Sequence, residues 1–361
     1  MCAACGVPTH VAEPEAAASA EAPAAAAETA RPAPARFAAL RDRDASTAFE
    51  PSRQPAYRWA RPGRTRHVPR LTTDLLDISY TDSRADGGGD GPPVLLLHGW
   101  PDSPRTWREL ATRLTAAGYR TIVPALRGFA PTRYRDPDTP RTGQVVALAR
   151  DALDLVDGLG LDRVAVVGHD WGARAAYAMA ALWPERVSRL VAVSVGYEPG
   201  GGLPNFEQAR LWWYQWFQTL DAGAEAVGRD PVGFARLQWD TWSPPGWYEA
   251  AEFDATAEAF EHVDFVPTTL HYYRVRWGAS PRDPAYEELE QKLARATTLS
   301  VPTLLIHGGS DTCIAPEQTE GRAGNFTAGY RRVVVPGAGH FVPREAPSTV
   351  ADLLLDHLRI G

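Results

Sequence analysis

Apolar residues in this chain gather in short unbroken runs separated by longer, helix-like segments. Pro93-Val-Leu-Leu-Leu97 and Val164-Ala-Val-Val167 carry no polar interruption, the pattern of strands covered on both faces. Leu75-Leu-Asp-Ile-Ser-Tyr80 alternates instead, as a strand with one covered face does, and a Gly/Asp turn follows over 86–91. Further strands are predicted over 119–124 and 189–195, with helices over 105–117, 144–159 and 173–183. That repeated strand–helix order predicts a mostly parallel central sheet with helices on both faces, an α/β fold. The alternation stops over 196–299, a helical stretch crowded with aromatics such as Trp212-Trp-Tyr214 and His271-Tyr-Tyr273. It is too long for a loop and too apolar for a linker, so it reads as a helical cap over the sheet's carboxyl edge, inserted between late strands. Strands resume at Pro302-Thr-Leu-Leu-Ile306 and Arg332-Val-Val-Val335, and a last helix is predicted over 347–358. The expected organisation is a tail and arm over 1–66, core over 67–195, cap over 196–299 and core again over 300–361.

Composition narrows the reading. Residues 1–66 are rich in Ala, Pro and Glu and nearly lack large apolar side chains, so they cannot offset the entropy of ordering. The first forty or so read as disordered and 49–67 as an extended arm onto the core. The 361 residues carry a net charge of −7 without a long basic run, which gives no electrostatic reason to expect nucleic acid or an anionic membrane as partner. The expected partners are a small apolar substrate and water, and a homodimer is left open. The three cysteines, Cys2, Cys5 and Cys313, are no disulfide framework. Cys2 and Cys5 lack a second ligand pair, so no metal is expected. No run of about 18 apolar residues is present, the start lacks the basic flank and continuous apolar core of a secretory signal, and the expected location is the cytoplasm.

Chemistry concentrates at strand ends. The run Val164–Val167 stops at Gly168-His-Asp-Trp-Gly172, and an alanine-rich helix begins beyond it. G-x-D-x-G is a nucleophile-elbow spacing, a turn so tight that its middle residue, Asp170, stands clear of the sheet. A carboxylate needs no deprotonation, and its natural target is an sp3 carbon bearing a leaving group, giving an alkyl ester. Asp311 and His340 each follow a resumed strand, and ligands of parallel sheets bind at that edge. His340 is the expected base toward water and Asp311 the carboxylate that orients it. The backbone amides of Trp171 and Trp100 are the expected oxyanion donors. His98 and His169 read as structural. No organic cofactor is implied, since no G-x-G-x-x-G turn is present.

With His98-Gly-Trp-Pro101, Gly168-His-Asp-Trp-Gly172, Trp183-Pro-Glu-Arg186 and Gly339-His340, residues 70–360 resemble the α/β-hydrolase superfamily and, within it, the epoxide hydrolase branch. The order nucleophile, acid, histidine agrees. The resemblance implies an epoxide hydrolase in which Asp170 opens the ring while two cap tyrosines hydrogen-bond its oxygen. His271-Tyr-Tyr-Arg274 resembles the segment carrying one of them, which falls on Tyr273. Tyr214-Gln-Trp-Phe217 resembles the other segment but is one residue short, leaving Tyr214 and Trp213 both open for that position. Trp213, Tyr272 and Phe341 are expected to line the substrate. Haloalkane dehalogenases are similar too, and would use Trp171 with Trp100 or a cap tryptophan as halide donors. Fluoroacetate dehalogenases hold a carboxylate with arginines one and four places after the aspartate; here Arg174 is present and Trp171 takes the nearer place, so half of that clamp is missing. A non-catalytic ligand receptor is the reading from a different class, and it is set against an intact triad.

Overall fold

The computed structural model describes residues 68–87 and 90–359; the expected tail and arm over 1–66, with Cys2 and Cys5, lie outside the described residues. Nine strands form one sheet. Its first half comprises β1 (Arg70–Thr72), β2 (Leu76–Asp82), β3 (Pro93–Leu97), helix α1 (Arg108–Ala116), β4 (Arg120–Pro124), β5 (Arg133–Tyr134), α2 (Val145–Gly158), β6 (Val164–His169), α3 (Trp171–Leu182) and β7 (Val187–Val193). Seven helices then intervene: α4 (Phe206–Leu211), α5 (Trp213–Thr219), α6 (Asp221–Arg229), α7 (Pro231–Thr241), α8 (Ala250–Ala257), α9 (Phe265–Arg276) and α10 (Glu287–Arg295). The chain returns through β8 (Thr303–Gly308) and β9 (Tyr330–Val335) and ends on α11 (Val342–Glu345) and α12 (Pro347–Leu358).

Strand order is β1-β2-β4-β3-β6-β7-β8-β9, with β5 on β2; pairs from β4 to β9 are parallel, and those made by β2 are antiparallel. The unbroken apolar runs are explained by this burial. Leu95, Leu97, Val164 and Val166 enter the core under α2, α3 and the inserted helices, while Val94, Leu96, Ala165 and Val167 enter a second core under α1 and α12. Successive side chains of a strand point to opposite faces, so a strand covered twice must be apolar at every position. Each large aliphatic side chain buried this way contributes roughly 1.5–3 kcal/mol.

Two local differences from the sequence pattern have physical causes. β1 and β5 are three and two residues long, too short to show a period. The helix expected over 105–117 begins as a 3-10 turn at Pro104–Trp107, started by the Ser103 hydroxyl accepting from the Arg105 amide, and becomes α-helical at Arg108.

The insertion leaves the sheet after β7 and returns at β8. It is pinned to the β3–α1 loop by Trp239, whose indole N–H donates to the Pro101 carbonyl at 2.7 Å. Arg344 on α11 joins Asp102 of that loop, at 2.6 Å, to Glu252 of α8, also at 2.6 Å. Its last helix, α10, packs against α2 and α3.

Candidate active site

A single residue, Asp170, separates β6 from α3, and its backbone lies at φ 51°, ψ −115°. For a residue with a Cβ this is a strained conformation costing about 1–3 kcal/mol, held by what surrounds it. The flanking glycines are required by contact: a Cβ on Gly168 would stand 2.2 Å from the Gly172 carbonyl oxygen, and one on Gly172 2.1 Å from that of Leu97. The turn aims Asp170 at the loop after β3, where its Oδ1 accepts from the Trp100 amide at 2.9 Å. Trp171 opens α3, so its own amide has no partner within the helix.

Asp311 follows β8 and His340 follows β9. His340 Nδ1 donates to Asp311 Oδ2 at 2.9 Å, and Asp311 Oδ1 accepts from the amides of Cys313 (2.8 Å) and Ile314 (2.9 Å). His340 Nε2 faces Asp170 Oδ2 at 3.7 Å, beyond a direct hydrogen bond, and has no other partner among the described residues. The histidine loop is tied at almost every polar backbone atom. Glu345 accepts from the amides of Gly339 (2.6 Å) and Phe341 (2.9 Å) and from Ser243 Oγ (2.7 Å), which itself accepts from the His340 amide at 2.9 Å. His169 Nε2 and Ser194 Oγ both donate to the His340 carbonyl, at 2.9 and 2.8 Å.

Burial would neutralise these groups, but their mutual attraction wins. Against burial, the imidazolium of His340 and the His307 Nε2 at 3.4 Å hold Asp311 well below the usual carboxylate range. Burial likewise opposes ionisation of Asp170, and His340 with the Trp100 amide keeps its carboxyl below the ordinary value. His340 loses basicity to burial and regains more from Asp311 and then Asp170, rising to about 10. His98 and His169 lack such compensation: burial pushes each down to about 4. His98 donates from Nδ1 to the Gly99 carbonyl and accepts the Leu126 amide at Nε2, fastening two loops of the site.

The insertion closes the site from above with aromatic side chains. Tyr273 on α9 is buried, and its hydroxyl accepts from Trp171 Nε1 at 3.1 Å. Tyr214 on α5 is also buried; its hydroxyl accepts from Gln215 Nε2 at 3.0 Å and meets Cys313 Sγ at 3.5 Å. The two phenol rings pack edge to face at 5.4 Å, and the Trp100 ring stacks on Tyr214 while meeting Tyr273 edge-on. Burial pushes both phenols well above 10, and the charge of Asp170 adds to it, so both keep their protons at neutral pH.

Of the two residues left open on α5, the structure turns Tyr214 inward. Trp213 is 42% exposed and packs on Phe217 and Phe234, which corrects its expected place against the substrate. Neighbours on a helix stand about 100° apart, so one of them must turn away when the other faces in. Tyr272 stacks on Trp171 at 4.4 Å. Phe341 is fully buried and sits edge-on to His340 at 5.4 Å.

Asp311, Cys313 and His340 present ligand atoms within 4.8 Å of one another. Asp311 and His340 are already bonded to each other, and burial raises the Cys313 thiol well above its usual range, so it is held as a neutral thiol. Glu345, Ser243 and Gln215 were not anticipated from the sequence, and no local motif marks them. No helix among the described residues is long and apolar enough to cross a membrane.

Residues 92–347 match the family model described as the alpha/beta hydrolase fold. The chain is 27% identical over 314 residues to Epoxide hydrolase A of Mycobacterium tuberculosis, covering 80% of this chain and 97% of that one. It is 30% identical over 309 residues to Epoxide hydrolase 2 of Siraitia grosvenorii, covering 75% and 93%. Among solved structures, a candidate epoxide hydrolase from Klebsiella pneumoniae superposes with a TM-score of 0.76 at 34% identity, covering 81% of this chain and 97% of that one. Epoxide Hydrolase A from Mycobacterium thermoresistibile gives 0.67 at 25%, covering 81% and 98%. The chain belongs to the α/β-hydrolase fold family and, within it, to the epoxide hydrolases.

Proposed function

We propose that the protein hydrolyses an epoxide to a vicinal diol through an ester on Asp170. One observation carries the reading: the elbow carboxylate bonds the Trp100 amide, and two buried phenols, Tyr214 and Tyr273, pack on each other and on the Trp100 ring, where burial keeps their protons on. Asp170 attacks a ring carbon, the carbon–oxygen bond breaks, and a phenol gives its proton to the departing alkoxide. An alkoxide leaves poorly, so a donor that meets it in the transition state lowers the barrier. The amides of Trp100 and Trp171 then receive the charge that develops on the ester oxygen when water attacks.

His340 removes a proton from that water. Two carboxylates hold a proton on it in the resting enzyme, and esterification makes Asp170 neutral. Asp311 alone then opposes burial, the His340 pKa falls, its proton passes to the phenolate that ring opening left, and the neutral imidazole becomes a base at the step that needs one. The acyl–oxygen bond breaks, the departing oxygen takes the second proton of the attacking water, Asp170 is restored as a carboxylate with one oxygen from water, and His340 keeps the first proton and returns to its resting charge. Dehalogenation has less support, because the indole N–H of Trp171 that would hold a halide is engaged by Tyr273. A first turnover in heavy-oxygen water, with enzyme in excess over styrene oxide, tests the reading. Unlabelled diol is expected, and label in the first product would overturn the ester.

A further inference from the structure

Beside the catalytic aromatics lies a cavity of about 300 Å³, bounded by Trp171 and Tyr272 on one side and by Arg174, Arg276, Glu198 and Glu290 among its polar lining. The two acids are already matched: Glu198 pairs with Arg322 at 3.2 Å, and Glu290 accepts from Gln144 at 2.9 Å and lies 4.0 Å from Arg282. The two arginines are not. Among the described residues, neither Arg174 nor Arg276 makes a side-chain hydrogen bond or ion pair; Arg174 lies over the ring of Trp171 and Arg276 over those of Trp212 and Trp277. The Arg276 Nε is buried without a partner. Burial, then repulsion from Arg174, lowers the Arg276 guanidinium to about 9, against a weaker pull from Glu198, and it still carries its charge at neutral pH. Arg174 and Arg276 are partly buried, with the Nε of Arg276 wholly enclosed, and an anion between the two guanidiniums would supply the partner both lack.

Their positions follow the reactive groups. Arg174 is one helical turn beyond Asp170 on α3, and Arg276 is one turn beyond Tyr273 on α9. Along each helix the arginine lies about one pitch, ~5 Å, beyond the reactive group, and Trp171, which lines the cavity, bonds Tyr273 on its other side. From this juxtaposition we propose that the substrate is an epoxide bearing a carboxylate a few carbons from the ring, with Arg174 and Arg276 receiving the carboxylate in the cavity. The inference rests on the epoxide hydrolase reading and adds a substrate class to it. It also changes the expectation of a simply apolar substrate.

The test compares a terminally epoxidised hexanoate with its methyl ester, which has the same ring and chain and lacks the charge. Wild-type kcat/KM is expected to favour the acid by about tenfold or more, the range of a charge-assisted hydrogen bond. Arg276→Met and Arg174→Gln are each expected to bring the acid-to-ester ratio toward one, and Arg276→Lys to recover part of it. A ratio cancels any general loss of folded enzyme. Acid and ester turned over equally by wild type would overturn the anion site and leave the hydrolase reading intact. If neither is turned over, quenching of tryptophan fluorescence by hexanoate and by hexanamide separates the two ideas. Hexanoate binding that is lost in Arg276→Met would keep the anion site and remove the epoxide reading, and equal weak binding of both probes would remove the site.

Discussion

The two halves of the site are built differently. Asp170, Asp311 and His340 come from the sheet edge, on closely fixed turns: the elbow by backbone approaches that only glycine allows, the histidine loop by hydrogen bonds to Glu345, Ser243, Ser194 and His169. Tyr214, Tyr273 and Arg276 come from the faces of short helices whose place is set by aromatic packing. Position along a strand end leaves little choice of direction. On a helix face one residue of difference turns a side chain by about 100°, as Trp213 and Tyr214 demonstrate. In the proposed reaction the core half forms and hydrolyses the ester, while the insertion half meets the leaving oxygen and the rest of the substrate.

Damage to the core half should cost the most. Asp170→Asn should lower kcat by about 10⁴-fold or more, the scale seen when a covalent nucleophile is lost. The same variant should lower the His340 pKa from its value of about 10, measured by NMR titration of the imidazole, because one of its two carboxylates has become neutral. His340→Gln should reduce steady-state turnover by about 10³–10⁴-fold while still forming the ester. Intact-protein mass spectrometry should then find one alkyl group per chain, and an enzyme that stays unmodified would contradict the division of labour between Asp170 and His340.

Changes in the insertion half should be smaller. Tyr273→Phe and Tyr214→Phe should each slow ester formation by about 10²–10³-fold, read in the pre-steady state, since each removes one donor to the leaving oxygen. Trp213→Phe should stay within about twofold of wild type; a loss as large as that of Tyr214→Phe would mean that the opposite face of α5 serves the site.

The last expectation concerns stability. His98 and His169 are held near pKa 4 in the folded chain and lie near 6.5 when it unfolds, so the unfolded chain binds more protons between these values. Their contribution is complete above about pH 6.5 and is lost as pH falls toward 4. His340 has the opposite sign: its contribution is full below about pH 6.5 and is lost as pH rises through about 10. Tm should fall from pH 6.5 to 4, and His169→Gln should flatten that slope, which calorimetry would measure.

Much of the core half is legible in the amino-acid sequence. Gly168-His-Asp-Trp-Gly172 announces its own turn, because the contacts that demand glycine are made within one strand–helix junction and with its neighbour β3. Unbroken apolar runs announce the buried parallel strands, since burial on two faces leaves no position free to be polar. Asp311 and His340 can be placed by their positions after strands. What cannot be read there is everything that depends on the mutual placement of distant segments: Ser243 of the insertion reaching the His340 amide, and His169 reaching the His340 carbonyl.

Periodicity and sterics among near neighbours suffice for the sheet, the insertion and the carboxylate at the elbow, and all three are written in the order of residues. Tertiary contacts were needed to choose which face of α5 enters the site, and to bring Arg174 and Arg276, from separate halves of the fold, into one cavity without partners. Exposure and charge pairing are sums over contacts from the whole chain, and no local pattern contains them.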